Sequence, residues 1–271
     1  MKIGICGCGW LGQPLAQHFK QSGHNIVATS RSTATCDRFA KLDYTAICFA
    51  LGDDLSTSEL ASLFNTDVLI LNIPPGRKSM QKDVFTARMI EFVQHAKSQG
   101  VSHLVFISTT AVYGDTEGKV TETTVPKPMT DSAKAHLEIE HTIANIFQDK
   151  ATTIRLAGLL GQARHPAKQL AGRTQIANGQ QGVNLVHQQD VIMAISHIIE
   201  KRIWGESLHL SATEHPSREE YYNWAAGKLE LPAPQFLTSE TSSTGKLIDA
   251  SWSLKTLGMK LQYPSPFDML D

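Results

Sequence analysis

Short, uninterrupted apolar runs alternate with longer amphipathic segments along the first half of the chain. Runs without a polar residue at every second position are typical of strands buried on both faces of a parallel sheet. Six runs are therefore predicted to be strands: 2–6, 25–29, 46–50, 68–72, 104–108 and 152–156. This alternation predicts an α/β fold, a doubly wound parallel sheet with helices on both faces.

The segments between these runs have helical periodicity. The clearest is 79–98, where apolar residues recur at helical spacing and Gly100 follows as a stop signal. Ser56 with Glu59 has the spacing of a capping box, which predicts a short helix before the fourth strand.

The pattern loosens after about residue 157. Glycine, glutamine and proline accumulate over 157–182, and "VNLV" and 207–210 are predicted to be short strands. A helix is predicted over 188–201. A second capping box, Ser217 with Glu220, predicts another near 218–229. We expect this half to form a smaller lobe over the ends of the sheet.

Composition narrows the class of protein. The 271 residues carry a formal net charge of −1, so no overall field favours nucleic acid or a membrane surface. No apolar run approaches the about 18–20 residues of a membrane helix, and the first residues do not resemble a signal peptide. The four cysteines, Cys6, Cys8, Cys36 and Cys48, are too few for a disulfide scaffold and fit a cytoplasmic protein.

The stretch "GICGCGWLG" at 4–12 combines two chemical signals. Cys6 and Cys8 would suit a metal, but no second cysteine pair or nearby histidine completes a ligand set, so we expect no metal. The G-x-G-x-x-G spacing after a strand and before a helix is the dinucleotide-binding fingerprint. Gly7 then permits the tight turn, Gly9 the approach of a pyrophosphate, and Gly12 close packing of the helix.

This motif assigns the first part of the chain to cofactor binding. Trp10 and Leu11 lie at the helix N-terminus, whose free N–H groups and partial positive charge attract phosphate. We expect a dinucleotide-binding Rossmann core over 1–156 and a smaller substrate lobe mainly over 157–271, with 183–201 returning to the core.

The cofactor type is suggested by the residues after the second strand. Enzymes that use NAD carry an acidic residue about 20 residues beyond the glycines, but "TSRS" stands here and Asp37 comes too late. Arg31 would bind a 2′-phosphate that an acid repels, with hydrogen bonds from Ser30 and Ser32. NADP(H) is therefore favoured over NAD(H). The alternative is that Arg31 is an exposed loop residue.

Four motifs resemble the extended or atypical short-chain dehydrogenases/reductases, the NAD-dependent epimerase/dehydratase family, and especially its bacterial YeeZ-type members. They are "GCGWLGQPLA" (7–16), "FISTTAVYGD" (106–115), "RLAGLLGQARHP" (155–166) and "GVNLVHQQDV" (182–191). In order they cover nearly the whole chain. They are specific for the superfamily but not for a substrate.

The resemblance implies a catalytic site. Thr109, between Ser108 and Thr110, matches the residue that polarises the substrate oxygen. Lys134 matches the lysine that holds the nicotinamide ribose. Further cofactor contacts are implied at Asp53, Asn72, Ile73, Pro74, Leu156 and Ala157.

The proton-carrying tyrosine of the family is missing. Its position is Thr130, whose hydroxyl is no acid or base at neutral pH and which suits a helix N-cap. Tyr113 belongs to the "VYG" turn and is not the family's catalytic group. A working enzyme would need Lys134, His136, His187 or bound water to carry the proton.

The segment 151–189 contains no acidic residue, and in the family it lines the substrate. Its basic side chains predict an anionic ligand such as a nucleotide sugar; the alternative is a solvated loop. The basic residues are Arg155, Arg164, Lys168 and Arg173, with His165 and His187. Of these, Arg164, His165, Arg173 and His187 are the candidate substrate residues. Asp190 is predicted to be structural.

Three functions stay open at this point. The first is an NADP-dependent oxidoreductase or epimerase/dehydratase-like enzyme acting on a small anionic substrate. The second is a redox sensor that binds NADP without turnover, and the third is a nucleotide-sugar-binding scaffold. The resemblance also implies a homodimer formed through the helices at 79–98 and 131–148.

Overall fold

The computed structural model describes residues 1–75, 82–238 and 243–270. The strands are β1 Lys2–Cys6, β2 Asn25–Ser30, β3 Thr45–Cys48, β4 Val68–Leu71, β5 His103–Thr109, β6 Gly118–Val120, β7 Ala151–Leu156, β8 Gly158–Leu160, β9 Leu185–His187, β10 Ser207–Leu210 and β11 Lys246–Ile248. The helices are α1 Gly12–Gln21, α2 Thr33–Lys41, α3 Ser58–Phe64, α4 Lys82–Ser98, α5 Asp131–Phe147, α6 Ala167–Leu170, α7 Gln188–Glu200, α8 Arg218–Lys228 and α9 Ser251–Leu257. Short 3₁₀ turns lie at Thr110–Tyr113, Gln148–Lys150 and Pro266–Asp268.

The central sheet has seven parallel strands in the order β10-β7-β5-β4-β1-β2-β3. The predicted α/β fold and all six predicted strands of the first half are confirmed. The strand order reverses between β1 and β4. In such sheets the carboxyl ends of the strands open a ligand crevice at that point.

Both faces of the sheet are covered, which explains why its strands lack alternation. Phe19 of α1 and Ile195 of α7 belong to the core on one face. Phe85 and Phe92 of α4 pack with Ile139 of α5 on the other. No helix within the described ranges is long and apolar enough to cross a bilayer.

The second half of the chain contributes to this core. Helix α7 packs on the same face as α1, and β10 extends the sheet beside β7. Two small parallel pairs, β8 with β9 and β6 with β11, form the rest of the described strand pairing. The division into two lobes at 156/157 stays a prediction.

The helix starts agree in part with the sequence. Ser217 caps α8 by accepting a hydrogen bond from the Glu220 N–H (3.2 Å), as predicted. The capping box at Ser56 is wrong: α3 begins after Thr57, and the Ser56 hydroxyl donates to Asp54 instead (2.7 Å). Helix α4 is described from Lys82, so the predicted residues 79–81 lie outside the described ranges.

Candidate active site

The glycine loop joins β1 to α1, and its three glycines have different surroundings. Gly7 has φ +92°, and a Cβ there would lie 2.4 Å from the Asn72 carbonyl oxygen. A Cβ on Gly12 would lie 2.9 Å from the Gly7 carbonyl oxygen. A Cβ on Gly9, in contrast, would meet nothing within 4 Å. The first and last glycines are thus fixed by packing, while Gly9 borders open space that a ligand can fill.

Some backbone N–H groups of the glycine loop have partners within the protein and others do not. Gly7 donates to Thr29 Oγ1 (3.0 Å) and Gly9 donates to the Gly7 carbonyl (2.9 Å). The N–H groups of Trp10, Leu11 and Gly12 donate to no group in the described part of the chain. Three unpaired donors at the start of a ten-residue helix are the groups that an anion site requires. The residues present therefore fit the pyrophosphate of a dinucleotide.

The end of β2 presents polar groups beside the start of α2. Ser30 Oγ accepts from the Ser32 N–H (3.2 Å), and Ser32 caps α2 by accepting from Thr35. Arg31 is exposed, and its side chain pairs with no other described residue. Arg38 of α2, which the sequence analysis missed, donates to Gln13 of α1 (2.6 Å). The guanidinium groups of Arg31 and Arg38 therefore both lie near the end of β2.

The other expected cofactor residues follow the ends of β3, β4 and β7. Asp53 accepts from the Ala50 N–H (2.7 Å), and Asn72 donates to the Gly7 carbonyl (3.0 Å), which holds the glycine loop against β4. Ile73 and Pro74 continue from Asn72 and are half-buried and exposed, respectively; Leu156 and Ala157 are buried at the end of β7. Their contact with a cofactor stays a prediction.

Thr109 and Lys134 lie on neighbouring elements. Thr109 ends β5, and its hydroxyl accepts from the Ala111 N–H (3.1 Å), so its own proton is free for donation. Lys134 lies near the start of α5, which packs against β5. It is exposed, and its ammonium group pairs with no other residue in the described ranges.

Thr130 is the N-cap of α5. Its backbone is extended, and its hydroxyl accepts from the Ala133 N–H (3.2 Å). This agrees with the interpretation from the sequence that residue 130 begins a helix.

A buried network of hydrogen bonds joins β5, β7, β10 and α5. Arg155 of β7 donates through Nη2 to Glu140 of α5 (2.6 Å) and through Nη1 to the Tyr113 hydroxyl (2.6 Å). Ser108 donates to Glu140, and His209 lies 2.5 Å from the Tyr113 hydroxyl. Burial raises the pKa of Tyr113. Arg155 therefore belongs to a buried ion pair, and counting it among the basic side chains that favour an anionic ligand was wrong.

Two histidines considered as proton carriers are held in the interior. His136 faces Phe106 and contacts the Ser132 carbonyl (3.0 Å), and burial lowers its pKa. His187 is 2% exposed and caps α7 by accepting from the Gln189 N–H (3.2 Å). Its ring centroid lies 3.8 Å from that of Tyr263. Both positions favour a structural role.

A cavity of about 360 Å³ opens beside the end of β7. Its walls come from 158–159, 164–169 and 182–185 and from α8, and they include Arg164, His165, Arg218 and Tyr222. No carboxylate stands among the residues that line it. Arg173 and His187 lie outside the lining, while Arg218 was missed because it comes from a distant helix.

His165 is neutral in this wall. Its Nδ1 accepts from the Ala167 N–H (3.2 Å), and its Nε2 faces the Tyr221 hydroxyl (2.8 Å). Burial lowers the pKa of His165 to about 4. The positive charge of the cavity therefore comes from the two arginines.

Trp10 connects the glycine loop to the cavity wall. Its indole N–H donates to the Gln162 carbonyl (3.1 Å), and the Arg164 guanidinium lies 5.0 Å from the centre of its ring. Gln188 donates to the Trp10 carbonyl (2.9 Å). The glycine loop therefore adjoins one wall of the cavity through Trp10 and Arg164.

Within the described ranges, no three His, Cys, Asp or Glu side chains are grouped so that they could hold a metal ion. Burial raises the pKa values of Cys6 and Cys8 to about 12, so both thiols are protonated at neutral pH.

The fold and this site define a class. Residues 4–207 match the model of the NAD dependent epimerase/dehydratase family, and the chain belongs to this family. The family is one of enzymes that use a nicotinamide dinucleotide.

Among individual proteins, the chain is 34% identical over 270 residues to Protein YeeZ of Escherichia coli K12, covering 99% of this chain and 98% of that protein. The resemblance to YeeZ-type members is thereby confirmed.

Solved structures share the fold. The UDP-glucuronic acid 4-epimerase of Bacillus cereus, in complex with NAD, superimposes with a TM-score of 0.80 at 20% identity, covering 99% of this chain and 94% of that one. The UDP-glucose 4-epimerase of Thermotoga maritima, with UDP-glucose, gives a TM-score of 0.80 at 13% identity, covering 97% and 94%.

Proposed function

We propose that this protein is an NADP(H)-dependent oxidoreductase or epimerase/dehydratase-like enzyme that acts on a small anionic substrate of the nucleotide-sugar type. The observation that carries the proposal is the cavity with Arg164, Arg218 and no carboxylate, joined through Trp10 to the glycine loop. A basic pocket beside a dinucleotide loop suits a substrate that carries phosphate or carboxylate groups.

The cofactor would be held by the glycine loop at one end and by α5 at the other. The N–H groups of Trp10, Leu11 and Gly12 would bind its pyrophosphate. Arg31 would bind a 2′-phosphate, with Ser30 and Ser32 as further donors and Arg38 as a second cation. A hydrogen bond to a charged group contributes about 1.5–3 kcal/mol, or about 10–150-fold in affinity.

Calorimetric titration of NADP⁺ and NAD⁺ tests this assignment. We expect NADP⁺ to bind 10–150-fold more tightly, and Arg31→Ala to remove most of that difference with little effect on NAD⁺. Arg38→Ala should remove a smaller part of it. Arg173→Ala, an exposed arginine outside this region, is the matched control. Equal affinities for both cofactors in the wild type would refute the preference.

In the reaction, the bound cofactor would supply hydride chemistry. The Thr109 hydroxyl would donate a hydrogen bond to the substrate oxygen. Lys134 would hold the nicotinamide ribose, as the family resemblance implies. Thr130 is engaged as a helix cap and is not expected to move a proton, so the enzyme works without the usual tyrosine. The proton would pass through Lys134 or bound water, because His136 and His187 are fixed in the interior.

The substrate would bind through Arg164 and Arg218. Two of the solved structures with this fold are UDP-sugar epimerases, which supports a nucleotide sugar as the substrate type. UDP-glucuronic acid is a suitable probe for titration into NADP⁺-loaded protein. We expect Arg164→Ala and Arg218→Ala each to weaken its binding by about 10–150-fold.

The same Arg173→Ala variant is the control for charge alone. It should bind the probe like the wild type, because Arg173 lies outside the cavity. Loss of binding in all three variants to the same extent would indicate diffuse electrostatic attraction and contradict a built site. Unchanged binding in both Arg164→Ala and Arg218→Ala would also contradict a binding site in the cavity.

A sensor that binds NADP without turnover is the second candidate. The observation in its favour is Thr130, which caps a helix where the family has its proton-carrying tyrosine. Isotope transfer from labelled cofactor to a metabolite would exclude the sensor, because a protein that only binds the cofactor cannot move the label.

We also infer a homodimer formed through α4 and α5, as the family resemblance implies. Light scattering after size exclusion should give twice the chain mass. A mass equal to one chain would refute it.

A further inference from the structure

Two cysteines meet at the edge of the sheet, beside the start of α2. Cys48 is the last residue of β3, the edge strand, and it lies opposite Ser30 in the pairing with β2. Successive side chains of a strand point to opposite faces. Ile47 packs with α3 and α4, so Cys48 points to the other face, which α2 covers.

Cys36 approaches the same point from the helix. It is one of the two buried residues of α2, and its thiol donates to the Ser30 carbonyl (3.6 Å). Both cysteines therefore adjoin Ser30, one by a hydrogen bond and one by strand pairing. Burial raises the pKa of Cys36 to about 11, and the neighbouring Cys48 thiol adds to this rise.

The pair differs from the other two cysteines. Cys48 is exposed to solvent, whereas Cys6 and Cys8 are both buried in the core. An exposed thiol and a buried thiol that both adjoin Ser30 have the arrangement of a reactive and a resolving cysteine.

We propose that Cys36 and Cys48 are a redox-modification site that forms a reversible disulfide with a peroxide as the oxidant. The Cys48 thiol would release its proton to solvent, and the thiolate would attack one oxygen of hydrogen peroxide. The O–O bond breaks, a sulfenic acid forms, and the departing hydroxide takes up the released proton and leaves as water. The Cys36 sulfur then attacks the Cys48 sulfur, and the S–O bond breaks as the S–S bond forms. The hydroxyl leaves as a second water with the Cys36 proton, so two thiols lose two electrons to the peroxide.

The disulfide would act on the cofactor end of the fold, and this consequence rests on the proposed function. The Cys36 N–H donates to the Ser32 carbonyl (3.0 Å) in the first turn of α2. An S–S bond of about 2.05 Å draws Cys36 toward β3. The turn that carries Arg31 and Ser32 would move with it, so oxidation should weaken the binding of NADP⁺.

Peroxide treatment of the reduced full chain tests the modification. We expect the intact mass to fall by two hydrogens, peptide mapping to join Cys36 to Cys48, and dithiothreitol to restore the mass. Cys6 and Cys8 should stay reduced. Cys36→Ser and Cys48→Ser should each prevent the link. Folded protein in which Cys48 stays a thiol, or oxidises to sulfinic acid without forming the link, would overturn the proposal.

Titration of NADP⁺ into reduced and oxidised protein tests the consequence. We expect the oxidised form to bind about tenfold more weakly, with no peroxide effect in Cys48→Ser. A complete link with unchanged affinity would overturn the coupling to the cofactor. If neither form binds any dinucleotide, the proposed function fails, while the mapped link still supports the modification site.

Discussion

The buried pair of Arg155 and Glu140 gives a prediction whose size follows from the structure. Their side chains are only 9% and 5% exposed, and they join β7 to α5, the helix that carries Lys134. Arg155→Met removes the cation but keeps an unbranched apolar side chain in its place. It leaves the Glu140 carboxylate buried with Ser108 as its hydrogen-bond donor, and it takes one partner from the Tyr113 hydroxyl.

The expected cost is about 3–5 kcal/mol of unfolding free energy, because removing one partner strands a buried charge. The double variant Arg155→Met with Glu140→Met should recover most of this loss, since an apolar pair of similar volume is often nearly neutral. An exposed ion pair offers the comparison. Lys20 and Asp43 lie 2.5 Å apart, but Asp43 is 94% exposed. Lys20→Met should therefore cost much less than Arg155→Met, because solvent screens an exposed ion pair.

Urea unfolding of the four proteins, followed by circular dichroism, measures these differences. The reasoning is refuted if Arg155→Met costs no more than Lys20→Met. It is also refuted if the double variant is as unstable as the single one, because the loss would then not come from a stranded charge.

The remaining predictions concern the cofactor loop, α5 and the cavity wall. Gly7→Ala should destabilise the fold by roughly 2 kcal/mol or more, because φ is +92° and a backbone oxygen lies 2.4 Å from the new Cβ. Gly9→Val should keep the wild-type melting temperature but lose dinucleotide binding. Normal binding by calorimetry would exclude a pyrophosphate beside Gly9. Thr130→Ala should lower stability by about 0.5–2 kcal/mol and leave NADP⁺ affinity unchanged. Lys134→Met should weaken NADP⁺ binding by about 10–150-fold. If Thr130→Ala weakens NADP⁺ binding and Lys134→Met does not, residue 130 contacts the cofactor and Lys134 does not. The folded-state pKa of His165 is lowered to about 4, so as pH falls below about 6.5 the unfolded chain binds a proton at this histidine before the folded chain does. Between about pH 6.5 and 4 the wild type should therefore lose stability relative to His165→Gln. Parallel plots of stability against pH for the two proteins would contradict a buried neutral imidazole.

The sheet was predictable because its signals are local. A strand buried on both faces needs an unbroken apolar run, and each of the six runs belongs to the central sheet. The role of Thr130 as an N-cap was local too, since its partner Ala133 is three residues away. The cap of α3 shows the limit of such reasoning. The Ser56 hydroxyl donates its hydrogen bond to Asp54, and the helix begins after Thr57.

The parts that the sequence analysis missed depend on residues far apart in the chain. Strands β6, β8 and β11 have three residues each, too few for a periodicity, and they exist through pairing with distant segments. Arg155 resembled a surface cation because its partner Glu140 lies on another element. Arg218 entered the cavity wall from α8 for the same reason. The sequence supplies the charges, but only the tertiary structure decides which of them are neutralised.

The proposed activity of this protein is the transfer of a hydride between NADP(H) and a small anionic molecule. Its most direct test is to incubate the protein with NADPH deuterated at C4 of the nicotinamide and an extract of small metabolites, and to follow the label by mass spectrometry. We predict that deuterium enters an anionic metabolite, and that Gly9→Val and Arg218→Ala abolish the transfer. Tight binding of NADPH with no label in any metabolite would contradict net hydride transfer, and it would leave either a sensor or an enzyme that returns the hydride to its own substrate.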